Sequence, residues 1–304
     1  MEDINVLLQA LPYLRRYRDK VFVVKVGGEI ANTPASLDAF AQDVAMIAQV
    51  GIRILVVHGG GPQLDEMMKQ LGVMPEKVAG RRITDDKTLE MAKMVFAGSI
   101  NTDILAALQK HGARPVGLNG LDGEVIMAQK RPPKKVTDPK TGEELEVDFG
   151  NVGDVKDVNP ALVRTLMENR YVPVISPLAA DSEGRVLNIN ADTIACALAS
   201  EMQVEKLIIL SNTDGVLKDV NDAASRYSYL TISQAEAMIA KGDASGGMVP
   251  KLQAVVEALR GGVKRAYLIN GLRAHALLKE IFTRGGTGTM LLDDAAEKDY
   301  LEKG

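Results

Sequence analysis

Two lysines stand where a cation needs a counter-charge. Lys25 falls near the end of the apolar run Val21 to Val26. Lys251 follows Gly246-Gly247-Met248-Val249-Pro250 and opens a segment with Leu252, Val255, Val256 and Leu259 at helical spacing. A cation at a helix start faces the positive end of the backbone dipole, which costs energy unless an anion joins it. Two glycine turns, Gly27-Gly28 and Gly59-Gly60-Gly61, each follow an apolar run and precede a helical pattern, so their N–H groups can approach an anion. Each turn alone also reads as a tight strand-to-helix connection, and Lys25 alone as a strand-end lysine with its ammonium in water. Neither turn fits G-x-x-x-x-G-K-[ST] or G-x-G-x-x-G, which disfavours an ordinary P-loop or nicotinamide enzyme. Two lysines, two glycine turns and no evident nucleophile point to phosphoryl transfer, where positioning and charge stabilisation carry the rate.

The elements that must hold these residues follow from periodicity. Ile4, Leu7, Leu8, Leu11, Leu14 and Tyr17 recur at three- and four-residue steps and predict an amphipathic helix over residues 4–17. Val21 to Val26 and Ile52 to His58 are continuous β-branched runs, as expected of parallel strands covered on both faces. Helical patterns over Ser36 to Val50, Lys87 to His111, Pro160 to Arg170 and Ala191 to Met202 alternate with strand patterns at Pro115 to Leu118, Tyr171 to Ser176 and Lys206 to Ser211. That alternation predicts an α/β fold with an open, mainly parallel sheet sandwiched between helices. Residues 128–157, rich in charge, Pro and Gly, read as a surface excursion of short hairpin strands, and Asp219 to Ser228 as a loop. Met67, Met68, Met91 and Met94 read as core packing.

Composition excludes several classes. The 304 residues, 46% hydrophobic and 25% charged, suit two lobes around generous cores. A net charge of −4 leaves no basic surplus for a phosphodiester backbone, so nucleic acid is not the expected partner. The single Cys196 cannot form an internal disulfide, and three His with one Cys cannot build a four-ligand zinc site unless carboxylates join them. The amphipathic N-terminus has no signal-peptide pattern and no stretch reaches about 18 apolar residues, so the expected setting is the cytoplasm, without a membrane.

Taken in order, six segments resemble the amino acid kinase family. They are Val23-Val24-Lys25-Val26-Gly27-Gly28, His58-Gly59-Gly60-Gly61-Pro62-Gln63, Gly80-Arg81-Arg82-Ile83-Thr84, Asn188-Ile189-Asn190-Ala191-Asp192, Ser211-Asn212-Thr213-Asp214-Gly215-Val216, and Gly246 to Lys251. Within the family the resemblance is to the branch that phosphorylates the side-chain carboxylate of N-acetyl-L-glutamate in arginine biosynthesis, and it covers nearly the whole chain. It implies ATP as donor, with Mg2+ carried on the nucleotide and no dedicated metal cluster. It also implies roles. Lys25 and Lys251 would contact the transferred phosphoryl group from opposite sides, with Asp192 holding both in register. Gly28, Gly59 and Gly60 would offer N–H groups to the phosphoryl or the acceptor. Arg82 would grip the α-carboxylate, with Asn188, Gly60 and Gly61 beside it. Thr213, Asp214, Gly215 and Lys251 would line the nucleotide site. On the residues alone, Arg81 and Arg82 could equally be a solvated pair, Asn188 and Asn190 helix caps, Asp192 a helix-dipole partner and His58 a core histidine. Glu29-Ile30-Ala31 departs from the small polar residue followed by Ala-Met that many relatives carry.

Both chain ends resemble the arginine-inhibited form. The resemblance implies that the first helix interlaces dimers into a hexamer, a trimer of dimers, and that Tyr13, Lys218, His275, Glu280, Gly285 and Gly286 form an L-arginine site. It divides the chain into an oligomerisation helix (1–20), an amino-acid-substrate lobe (21–203) and a nucleotide lobe (204–304). The alternatives are a kinase of this fold acting on carrier-bound aminoadipate, glutamate or aspartate, and a non-catalytic arginine-sensing protein.

Overall fold

The alternating β-branched runs assemble into one eight-stranded sheet in the order Tyr229–Thr231, Thr289–Leu292, Ala266–Asn270, Lys206–Ser211, Val21–Val26, Arg53–His58, Val172–Ser176 and Pro115–Asn119. Every neighbouring pair is parallel except Ala266–Asn270 with Thr289–Leu292. The computed structural model describes residues 2–78, 81–137, 144–219, 222–244, 246–283 and 286–303. Because side chains alternate along a strand, each central strand feeds two cores. Val23, Leu55, Val57, Ile175, Leu207 and Ile209 enter one, and Phe22, Val24, Val26, Ile54, Val56, Ile208 and Leu210 the other. The cores therefore divide by sheet face, and the sheet runs unbroken past residues 203 and 204.

The expected α/β layering is present, with particular differences. The first helix spans Glu2–Tyr17, and its stripe is divided. Tyr17 is buried within its own chain, edge-on to Phe22 at 5.3 Å, whereas Leu8 and Leu11 are exposed; the side chains of Ile4 and Leu7 lie outside the described residues. Residues 86–110 form one helical stretch interrupted by a π-helical segment, Lys93–Ile100. By length and composition alone that stretch could cross a membrane, although it holds no run of 18 apolar residues. Its Leu89, Met91, Val95, Phe96, Ile100, Ile104 and Leu108 are instead buried in the protein, as in a core helix. Met68 and Met91 are buried as expected, but Met94 is exposed.

The 128–157 excursion is only partly a surface feature. Its flanks, Ile126–Lys130 and Val152–Val158, close a small barrel with Leu178–Ala180 and Val186–Ile189. Ile126, Ala128, Phe149 and Val152 are buried, and only the Lys134–Thr137 and Glu144–Val147 hairpin projects. In Asp219 to Ser228 the described part is a loop with a short 3-10 turn at Ala223–Ser225.

Candidate active site

Parallel register sets Lys25 beside Val57 and Ile209, and Val26 beside His58, so both glycine turns leave the carboxyl edge of the sheet side by side. Open α/β sheets bind ligands at this edge. Asn190 caps the helix Ala191–Glu201, its Oδ1 accepting the N–H groups of Asp192 (2.7 Å) and Thr193 (3.3 Å). Capping fixes Asp192 in the first turn, with one carboxylate oxygen 2.8 Å from Lys25 Nζ and the other 3.7 Å from Lys251 Nζ. Burial pushes the Asp192 carboxyl up, but the two ammonium groups outweigh it and hold the carboxyl below its ordinary range. Residues from a strand end and from two helix starts, 226 positions apart at the extremes, thus form one ionised cluster of two cations and one anion.

In each turn one position, Gly28 and Gly60, is held to glycine for want of space. A Cβ on Gly28 would lie 2.7 Å from Gln63 Oε1 and 2.8 Å from Pro62, and one on Gly60 would fall 2.3 Å from Ile100 Cδ1 and 2.8 Å from Phe96. Gly28 and Gly61 open helices and Gly60 caps one, so their N–H groups have no intrahelical acceptor. Gly59 departs from expectation. Its N–H donates to the Val26 carbonyl at 2.9 Å, which ties the two turns together and leaves that donor unable to serve a phosphoryl group.

Arg82 ends the strand Arg81–Arg82 and reaches over the second turn. Its Nη1 lies 2.6 Å from Asp65 Oδ1, and its Nη2 donates to the Gly61 carbonyl at 3.1 Å, so it is not a solvated cation. Asp65 also meets Lys77 at 2.6 Å. Asn188 donates from Nδ2 to the buried Thr84 Oγ1 at 3.2 Å, placing it two residues along from Arg82. Gly80, the first residue of that segment, lies outside the described residues. Gln63 donates to the Gly28 carbonyl at 2.7 Å, and its Oε1 is buried with no hydrogen-bond partner among the described residues. Asp65, Thr84 and Gln63 were not among the sequence candidates. Gln63 and Thr84 stand in the His58-to-Gln63 and Gly80-to-Thr84 segments, but the pairing of Asp65 with Arg82 has no local signal.

Beyond the lysines a cavity of about 290 Å3 is lined by Ser211, Asn212, Thr213, Gly215, Met248 and Lys251. Gly215 has φ +93, and a Cβ there would meet Thr289 Oγ1 at 2.5 Å, so only glycine lets the loop pass. Thr213, Gly215 and Lys251 are brought together as expected. Asp214 is not: its carboxylate turns away to Asn270 Nδ2 (2.9 Å) and Arg273 Nη2 (2.7 Å), where it braces the loop.

A separate cavity of about 880 Å3 lies between the first helix and the helix Ala276–Phe282. Tyr13, Glu280 and Gly286 line it with Arg16, Lys206 and Tyr267. Glu280 accepts the backbone N–H groups of Thr287 (2.5 Å) and Gly288 (3.0 Å). Lys206 is buried with its ammonium 4.4 Å from the Tyr267 ring and 4.8 Å from Tyr17, and burial pushes its pKa down to about 7. Two expected members lie elsewhere. His275 bonds Asp43 at 2.6 Å in a different crevice, and Lys218 stands over Tyr227 in one that shares Arg226 and Ser228 with the large cavity. Gly285 lies outside the described residues.

Residues 20–270 match the amino acid kinase family. The chain is 44% identical over 290 residues to an acetylglutamate kinase of Methanococcoides burtonii, covering 95% of each chain. It is 43% identical over 294 residues to an acetylglutamate kinase of Methanocaldococcus jannaschii, covering 97% of each. Among solved structures it resembles the N-acetylglutamate synthase of Neisseria gonorrhoeae complexed with coenzyme A and L-arginine, with TM-score 0.81 and 25% identity, over 96% of this chain and 65% of that one. The Lys25, Asp192 and Lys251 cluster at the sheet edge, the paired glycine turns and these similarities agree, and the chain belongs to the amino acid kinase family, within the group of the acetylglutamate kinases.

Proposed function

We infer that the protein transfers the γ-phosphoryl group of ATP to the side-chain carboxylate of N-acetyl-L-glutamate in arginine biosynthesis. The observation that carries this reading is Asp192 joining Lys25 to Lys251 beside the glycine turns, in a chain 44% identical to an acetylglutamate kinase. An oxygen of the acceptor carboxylate bonds to the γ-phosphorus as the bond to the β–γ bridging oxygen breaks, giving an acyl phosphate and ADP. A side-chain carboxyl with a pKa near 4.3 is ionised at neutral pH, so the reaction needs no general base. What it needs is relief of repulsion between anions. Lys25 and Lys251 supply it as charge spreads over the phosphoryl oxygens, and the N–H groups of Gly28 and Gly60 add to it. Asp192, kept ionised by the lysines, spaces them and does not move a proton.

Arg82, already fixed by Asp65 and the Gly61 carbonyl, takes the α-carboxylate with its remaining donors, and Asn188 stands beside it. The hydroxyls of Ser211 and Thr213 and the ammonium of Lys251 suit a polyphosphate in the 290 Å3 cavity. Mg2+ travels on those phosphates and supplies further charge neutralisation. On this reading residues 21–203 hold the amino acid and 204–304 the nucleotide.

The 880 Å3 cavity is the proposed L-arginine site, with Glu280 as counter-ion for a cationic group and Tyr13 and Gly286 in its wall. The exposed Leu8 and Leu11 support pairing of first helices between subunits, consistent with a hexamer built from dimers. The free, buried Cys196 suits the cytoplasm.

The test is a hydroxamate trap of the acyl phosphate, with N-acetyl-L-glutamate, glutamate, aspartate and aminoadipate offered in parallel with ATP. Signal with N-acetyl-L-glutamate supports the assignment. Signal confined to another acceptor rejects the substrate, and no signal with any rejects the kinase.

A further inference from the structure

The second glycine turn is held from behind by two polar side chains with no place in the mechanism above. His58 is fully buried, and its ring bridges the turn to the helix beneath it. Nδ1 lies 3.2 Å from the Gly59 carbonyl oxygen, and Nε2 lies 3.2 Å from Nδ2 of the buried Asn101. The same Nδ2 donates to the Val174 carbonyl at 3.2 Å. That second bond decides the network. A carbonyl oxygen can face only a donor, so the amide nitrogen of Asn101 is fixed toward Val174 and His58, and its second hydrogen points to Nε2. Nε2 must then carry a lone pair, and the one ring proton sits on Nδ1, aimed at Gly59.

We propose that Asn101 and His58 are positioning residues for phosphoryl transfer: Asn101 locks His58 as the neutral Nδ1–H tautomer, which pins the Gly59 carbonyl and so presents the Gly60 N–H to the reacting group. The link is the planar trans peptide, in which the carbonyl of one residue and the N–H of the next point in opposite directions. Drawing the Gly59 carbonyl inward toward His58 turns the Gly60 N–H outward. Burial pushes the His58 pKa down to about 4, so the ring stays neutral where the enzyme works.

The helix contributes a second constraint. Asn101 follows directly on the π-helical segment Lys93–Ile100, and Phe96 and Ile100 of that segment form the apolar wall that admits only glycine at position 60. π-Segments are rare and recur at functional sites. Here the segment brings an apolar wall and a polar anchor to bear on one turn.

The proposal rests on the phosphoryl-transfer reading, and its tests are chosen to fail separately from it. The first needs no activity: in full-length protein labelled with 15N-histidine, ring-nitrogen NMR should show a neutral Nδ1–H tautomer from pH 6 to 8 that is distinct from His275, whose Nδ1 faces the Asp43 carboxylate. That resonance should disappear in His58→Asn. A His58 ring that is protonated, or that carries its proton on Nε2, overturns the proposal even if the kinase reading stands. The second is kinetic. Asn101→Asp places an acceptor against Nε2 and favours the proton there, so kcat should fall at least tenfold with KM for ATP and acceptor within about threefold. Asn101→Leu, which removes the donor to Nε2 without offering an acceptor, should lose less, and His58→Asn, which keeps a donor near Nδ1, should retain most of kcat. Unchanged kcat in Asn101→Asp, or equal losses in His58→Asn and His58→Leu, would overturn it. If these variants fold poorly, the tautomer in the wild-type protein decides.

Discussion

Nη1 of Arg82 lies 2.6 Å from Oδ1 of Asp65, although 16 residues separate them along the chain. Arg82 Nη2 adds a bond to the Gly61 carbonyl, so the guanidinium is oriented before any substrate arrives. Preorganisation of this kind lowers the ordering cost of binding. In Arg82→Lys, KM for the amino-acid substrate should rise at least tenfold with KM for ATP little changed, because an ammonium lacks the planar fork that spans Asp65 and the Gly61 carbonyl while presenting further donors to a carboxylate. Steady-state kinetics in both substrates checks this, and an effect confined to ATP would put Arg82 on the wrong side of the site.

Lys206 gives a pH signature. In the folded protein its pKa is pushed down to about 7, while an unfolded lysine titrates near 10.4, so between those values the unfolded chain binds more protons and stability rises with pH. From pH 7 to 9 the gain is about 2 kcal/mol at most, since the Tyr17 and Tyr267 rings favour the charged form and oppose the shift. Lys206→Met should flatten that rise, as read by denaturant unfolding at pH 7 and 9. Parallel curves for the two proteins would show that Lys206 stays charged throughout.

The first helix divides its side chains between the core and the surface. Tyr17 is anchored on Phe22, so removing residues 1–12 spares the local packing and takes away Leu8 and Leu11. If the first helices pair between subunits and L-arginine binds beside them, as proposed, the truncated protein should keep kcat, form particles of fewer subunits by light scattering and respond less to L-arginine than the full chain. An unchanged mass would assign these leucines to another surface.

Much of the site was legible because its signals are local. A lysine closing an apolar strand, glycines between strand and helix, and Asn190 ahead of Asp192 each declare their place within a few residues. What escaped depends on distance or direction. Asn101 meets His58 across 43 positions, and Asp65 meets Arg82 through a hairpin, so no periodicity signals either pair. The direction of a loop side chain is equally silent: Asp214 turns to Asn270 and Arg273 while its neighbours Thr213 and Gly215 face the cavity. Composition masks burial in one strand. Val152–Val158 carries Asp154, Lys156 and Asp157 and looks like surface, yet its first residues close the barrel. The π-helical segment gives no signal at a period of 3.6 residues per turn.

The central claim is that Lys25 and Lys251, spaced by Asp192, stabilise phosphoryl transfer rather than the fold. Single-turnover transfer from ATP to N-acetyl-L-glutamate, quenched on the millisecond scale and read as acyl phosphate, isolates that step. Lys25→Ala and Lys251→Ala should each slow it by at least about 100-fold with little change in melting temperature. Transfer at a near wild-type rate in either variant would contradict the account.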